Sequence, residues 1–141
     1  MLKLDGNDHK IIKELRDNSR LSVRQIGKKT GIRPSTVHLR IQRLIKEGVV
    51  EKFTLKLNNK AIGENFIVFM LIRAVKELEA KVFRNRHVKE AFGVTGEYDL
   101  ILKLKFKDVE EFNDFVIKFR KEQEIRESLT MVVTADIKEE I

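Results

Sequence analysis

Cysteine and tryptophan are absent from this 141-residue chain, and proline and tyrosine occur once each. Without cysteine there is no disulfide framework and no thiolate to act as nucleophile or metal ligand. The three histidines, His9, His38 and His87, stand far apart, and no H-x-x-H or HExxH spacing joins them. Neither a metal site nor a cofactor site is therefore expected. No run of about 18 uncharged apolar residues occurs, so no membrane-spanning helix is expected. The opening Leu2-Lys3-Leu4-Asp5 lacks the apolar stretch of a signal peptide. A cytoplasmic protein is the plain expectation. Repeats and low-complexity tracts are also missing, while 42% hydrophobic residues suffice for packed cores.

What is present in excess is positive charge, and it is unevenly placed. The net charge is +7. Residues 1–51 hold twelve Lys and Arg against six Asp and Glu, and residues 52–63 add Lys52, Lys56 and Lys60 with no acid. Residues 64–141 carry 14 basic and 16 acidic groups. One part is thus built to approach a polyanion, and the other is close to neutral.

The amino-terminal part reads as three short helices. Asp5 is an N-cap, and Ile11, Ile12 and Leu15 form an apolar stripe, which predicts a helix over about 6–17. Ser22 and Gln25 form a capping box, with Leu21 placed to staple onto Ile26. The second helix then runs over about 23–29 and stops at Gly31, a residue that tolerates a left-handed C-cap. Pro34 suits the first turn of a third helix carrying Val37, Ile41, Leu44 and Ile45, ended by Gly48. Val49 to Leu57 changes to period two, with Phe53, Leu55 and Leu57 on one side, and predicts a strand. The domain boundary is expected near 63/64, giving 1–63 and 64–141.

The second half alternates differently. Strands are predicted at 66–75, 88–95, 99–106 and 127–138, with helices at 76–86 and after the N-cap Asp108. The order β-α-β-β-α-β is the ferredoxin-like pattern, an antiparallel sheet with both helices on one face. The fold class expected is therefore α+β. Phe66–Ile72 is apolar on both faces, and the last strand offers Leu129, Met131 and Val133 on one side. A helix-free sheet face this apolar predicts burial against a second copy, making a homodimer.

The span 22–48 has the spacing of a helix-turn-helix, in which the third helix enters the major groove of double-stranded DNA and the second crosses the backbone. With Val37, Ile41 and Leu44 facing inward, the other face carries Ser35, Thr36, His38, Leu39, Arg40, Arg43 and Lys46. Arg40 and Arg43 could fork onto guanine edges or grip phosphates, and Leu39 could meet a thymine methyl. Ser22, Arg24, Lys28 and Lys29 are better placed for phosphates. The same residues would also serve a small helical subdomain with a merely solubilising surface.

Over nearly its whole length the sequence closely resembles the Lrp/AsnC (feast/famine) family of regulators. The residues that carry this are Leu4-Asp5, Asp8, Ile11-Ile12 and Leu15, then Ile26-Gly27-Lys28-Lys29-Thr30-Gly31-Ile32. They continue with Ser35-Thr36-Val37-His38, Arg40-Ile41, Arg43-Leu44, Gly48-Val49-Val50, Ala61-Ile62-Gly63 and Thr95-Gly96-Glu97-Tyr98-Asp99. The resemblance implies a winged helix-turn-helix domain, and a dimer-forming, effector-binding domain whose dimers often associate into octamers. It also implies an amino acid or related metabolite at subunit interfaces, held by Gly96, Glu97, Tyr98, Asp99 and Thr130. Gly96 can expose backbone N–H groups to a carboxylate and Asp99 can pair with an ammonium, yet Gly-Glu-Tyr-Asp is equally an ordinary hairpin turn. Arg33 departs from the family's usual Ser-type N-cap and could instead reach a phosphate. Asn59 and Gln123-Glu124-Ile125 depart from the family's proline-bearing turns. Two other readings stay open: an enzyme similar to the siroheme decarboxylases, and an architectural protein that coats DNA with little sequence preference.

Overall fold

The computed structural model describes residues 2–141. The chain divides into two compact units, one reaching to Leu55 and one of Lys56–Glu140. Residues 56–63 thus fold with the second unit, where Asn59 is buried against Lys105 and Glu139.

In the first unit, α1 is Gly6–Asp17, α2 Val23–Thr30 and α3 Pro34–Lys46. Reciprocal capping boxes start the first two. Asp5 accepts from the Asp8 amide while Asp8 accepts from the Asp5 amide, and Ser22 and Gln25 do the same. Ile11, Ile26 and Val37 are fully buried where the three helices meet, with Leu15, Leu21, Val23, Ile32 and Ile41 packed around them. Apolar spacing of three and four thus becomes one shared core.

The strand expected over 49–57 is not formed. The Val49 and Val50 amides bond back to the Leu44 carbonyl, and the segment then runs without a ladder. Phe53, Leu55 and Leu57 remain exposed. Alternation records that a segment has two unlike faces; it does not supply the neighbouring strand a ladder requires.

The second unit has β1 Phe66–Ala74, α4 Ala80–Arg84, β2 Val88–Gly93, β3 Leu100–Phe106, α5 Val109–Glu122 and β4 Ile125–Val132. The sheet is antiparallel in the order β2-β3-β1-β4. Val68, Met70 and Ile72 of β1 and Leu102, Leu104 and Phe106 of β3 meet Val82 of α4 and Phe112, Phe115 and Phe119 of α5. Both helices therefore cover one face, as the ferredoxin-like order requires.

β2 stops two residues early, at Gly93, and α4 and β4 are shorter still. α4 occupies only five residues of 76–86. Its approach is held by side chains instead, since buried Gln123 accepts from the Glu79 amide and donates to the Glu79 carboxylate. β4 begins at Ile125 and stops at Val132 because its partner runs out. Val132 pairs with Val68, the Val133 amide reaches the Ile67 carbonyl, and β1 begins only one residue earlier.

The residues after β4 then turn onto the sheet. The helix-free face carries rows of Phe92, Ile101, Leu71 and Leu129, then Glu90, Lys103, Phe69 and Met131. It is only partly apolar, because β3 contributes Lys103 and Lys105. Glu139 bridges both ammonium groups, and all three side chains are largely buried. Phe92, Leu129 and Met131 stay exposed.

Candidate nucleic-acid interface

Helices α2 and α3 approach closely because position 27 is glycine. A β-carbon on Gly27 would stand 2.7 Å from the Ile32 carbonyl oxygen and 3.3 Å from Pro34 Cγ. Gly31 then ends α2 at φ 76°, its amide donating to the Gly27 carbonyl at 2.8 Å. Thr30 donates its hydroxyl to the Ile26 carbonyl and accepts from the Ile32 amide, which stiffens the turn. Pro34 opens α3, and Arg33 makes no side-chain cap. The first-turn amides of α3 are thus left without a cap, beside an exposed arginine, at a positive helix end.

The buried side of α3 is Val37 and Leu44, with Ile41 half-buried. Ser35, His38, Leu39, Gln42, Arg43 and Lys46 are exposed, and Thr36 is half-buried. On α2, Arg24, Lys28 and Lys29 are exposed, as is the capping Ser22, whose oxygen accepts from Gln25.

Arg40 is engaged within the first unit. Its guanidinium Nη1 lies 2.7 Å from both carboxylate oxygens of Asp5 and 3.1 Å from Asp8. Arg43 Nη2 reaches the same Asp8 at 3.0 Å. Asp8 is fully buried, and its charge is met by two arginines and an amide. The Arg40 guanidinium holds the Asp5 carboxyl down from 3.8 to about 2, and the two acids raise Arg40 in return. Arg40 thus fastens α3 to α1, whereas Arg43 keeps an exposed outer side. Sequence reasoning missed this because helical spacing names an outward face without saying which neighbouring helix meets its edge. It also passed over Gln42, although Gln42 follows Leu39 by three residues and Ser35 by seven.

The Gly96–Asp99 loop joins β2 to β3. Gly96 adopts φ 119°, a region that favours glycine. The Asp99 amide donates to the Ile72 carbonyl, and its carboxylate accepts from the Ala74 amide. One oxygen of that carboxylate therefore pins the loop to the end of β1. Arg73 Nε donates to the Glu97 carbonyl at 2.6 Å, and the Tyr98 hydroxyl donates to Glu127 at 3.3 Å. Burial, then Glu127, pushes the Tyr98 phenol upward. Thr130 pairs opposite Met70 on β4, across β1 from β3 and the loop. The loop itself reaches β4 through Tyr98 and Glu127, three residues before Thr130. An open groove of about 730 Å³ runs past Val75, Arg126, Glu127 and Ser128 on the β4 side.

No helix among the described residues is long and apolar enough to cross a membrane. The winged helix-turn-helix DNA-binding family matches residues 4–51, and the Lrp/AsnC ligand binding domain matches residues 67–141. An uncharacterised HTH-type transcriptional regulator of Pyrococcus horikoshii is 38% identical, covering 98% of this chain and 97% of its own. The HTH-type transcriptional regulator FL11 of Pyrococcus furiosus is 35% identical over 92% of this chain and 89% of its own. Among solved structures, an AsnC family transcriptional regulator from Agrobacterium tumefaciens superposes with TM-score 0.89 at 23% identity, covering 97% of this chain and 94% of its own. A Neisseria meningitidis transcriptional regulator, solved as an L-Met complex, gives 0.89 at 24% identity over 98% of this chain and 94% of its own. At that identity the two structures support the fold alone.

Proposed function

The chain belongs to the Lrp/AsnC family of helix-turn-helix DNA-binding transcriptional regulators, and from that premise we propose how its own residues do the work. α3 enters the major groove of double-stranded DNA with Ser35, His38, Leu39 and Gln42 toward the bases. Ser22, Arg24, Lys28 and Arg33 hold phosphates, with Thr36 and the uncapped amides of α3 beside them. Arg43 and Lys46 grip the backbone farther along the helix. The observation that carries this reading is the exposed polar row on α3, continuous with a cationic α2.

Two copies present two such helices. The exposed Phe92, Leu129 and Met131 supply the apolar part of the surface that joins them. A two-fold dimer of this kind reads a pseudo-palindromic operator in the cytoplasm, with half-sites about one helical turn apart or a multiple of it. Dimers of such dimers extend to an octamer.

The second unit regulates rather than catalyses. The Gly96–Asp99 loop receives an amino acid or related metabolite, its carboxylate toward the Gly96 backbone and its ammonium toward Glu97 and Asp99. Thr130 joins that site from β4. Binding there changes the assembly and hence the spacing of the DNA-binding heads.

A salt titration of duplex binding tests the DNA reading. Replacing Arg24 or Lys28 by Ala should lower the slope of log affinity against log salt by about 1 and weaken all sequences alike. An unchanged slope in both would remove α2 from the interface.

A further inference from the structure

The α3 arginine best suited to fork onto guanine is already occupied. Arg40 spends its inner nitrogen on Asp5 and Asp8, and its side chain is only 23% exposed. Ser35, Leu39, Gln42 and Lys46 instead follow one another at spacings of four, three and four. They therefore form one longitudinal row, opposite buried Val37 and Leu44. All four are exposed, Leu39 at 66%, and the Gln42 side chain makes no hydrogen bond among the described residues.

We infer that Gln42 and Leu39 are the pair through which this chain reads sequence, and that what they read is A·T base pairs. The inference rests on the reading that α3 lies in the major groove. A glutamine carboxamide carries one acceptor and one donor edge, which match the N6 amino group and N7 of adenine. The thymine methyl is the apolar feature of the groove floor, and Leu39 is the apolar member of the row. Side chains three apart on a helix stand about 5–6 Å from one another. Base pairs rise by about 3.4 Å. The two side chains therefore fall on the same or neighbouring pairs, so the contacts reinforce one another. Arg40 is a positioning residue here: with Asp5 and Asp8 it sets the rotation at which the row meets the groove.

The experiment uses the intact chain and the duplex it selects from a random pool. In that duplex each adenine is replaced singly by 7-deazaadenine, which lacks N7, and each thymine by uracil, which lacks the methyl. The wild type should lose about tenfold at one 7-deazaadenine position. It should lose about fourfold at one uracil position, the worth of a buried methyl. Gln42→Ala should be indifferent to the first replacement and Leu39→Ala to the second. Gln42→Glu, which can only accept, should shift preference at its pair from adenine toward cytosine. Arg40→Lys should bind more weakly while keeping the wild-type pattern of preferences. Thermal melts of the exposed-site variants should match the wild type, which separates reading from folding. Failure of the wild type to bind any duplex would sink the groove reading beneath. A selected site whose analogue losses persist unchanged in Gln42→Ala and Leu39→Ala, or move with Arg40→Lys, would overturn this assignment alone.

Discussion

At the scale of single residues, Asp8 ties the start of α1 to α3. It closes the capping box of α1 and receives both arginines of α3 while fully buried. Asp8→Ala should cost about 3 kcal/mol, because it strips an N-terminal cap and strands the inner arginine charge. Chemical denaturation followed by circular dichroism measures it, and a loss below about 1 kcal/mol would mean that water replaces the acid. Asp5 gives a pH prediction. Its folded value near 2 lies below the ordinary 3.8, so its contribution is complete above about pH 4 and disappears as pH falls through 2. A carboxyl titration by NMR should find a midpoint near 2, and one near 3.8 would show that the pair with Arg40 does not persist in solution. Neither role was legible in the sequence. The acids showed themselves as caps because capping is local, but their arginine partners lie 32 and 35 residues away.

At the scale of elements, local chemistry was legible and partnership was not. Ser22-Gln25, Gly31 and Pro34 are signals satisfied within a few residues, and α2 begins and ends, and α3 begins, where these signals put them. The 49–57 segment and the end of β4 depend on which strand lies alongside, and there the residues alone misled. Gly27 is a case between. Its close approach to Ile32 belongs to the α2–α3 turn, yet a lone glycine in a helix announces only weak propensity. Gly27→Ala should improve helix propensity and still destabilise by about 2 kcal/mol, because the added carbon meets backbone. A thermal melt showing no loss would mean that α2 and α3 can separate freely. In the second unit, Glu139→Gln should cost about 2 kcal/mol by leaving Lys103 and Lys105 buried with one fewer charge opposite them. A variant with an unchanged denaturation midpoint would show the tail lifting off the sheet.

At the scale of the whole molecule, charge division was the sequence's most direct statement: a cationic helical unit and a near-neutral sheet unit. The β-α-β-β-α-β order of the second was equally plain, since hydrophobic period and turn residues agree there. The extent of the apolar sheet face was overstated, because β1 and β4 were weighed without the lysines of β3. What remains exposed there, Phe92, Leu129 and Met131, is the surface proposed for association. Sedimentation equilibrium should return at least twice the chain mass, and Leu129→Asp should shift the population toward monomer; a wild type monomeric at micromolar concentration would remove the sheet face from the assembly.

As proposed above, paired copies of α3 read a duplex sequence at a fixed interval. Selection of bound fragments from a random duplex pool by the wild-type chain tests it most directly. The expected outcome is enrichment of an inverted repeat containing A·T pairs, its half-site centres separated by about 10–10.5 base pairs or a multiple of that. A recovered pool indistinguishable from the input, or one enriched only in single unpaired sites, would contradict it.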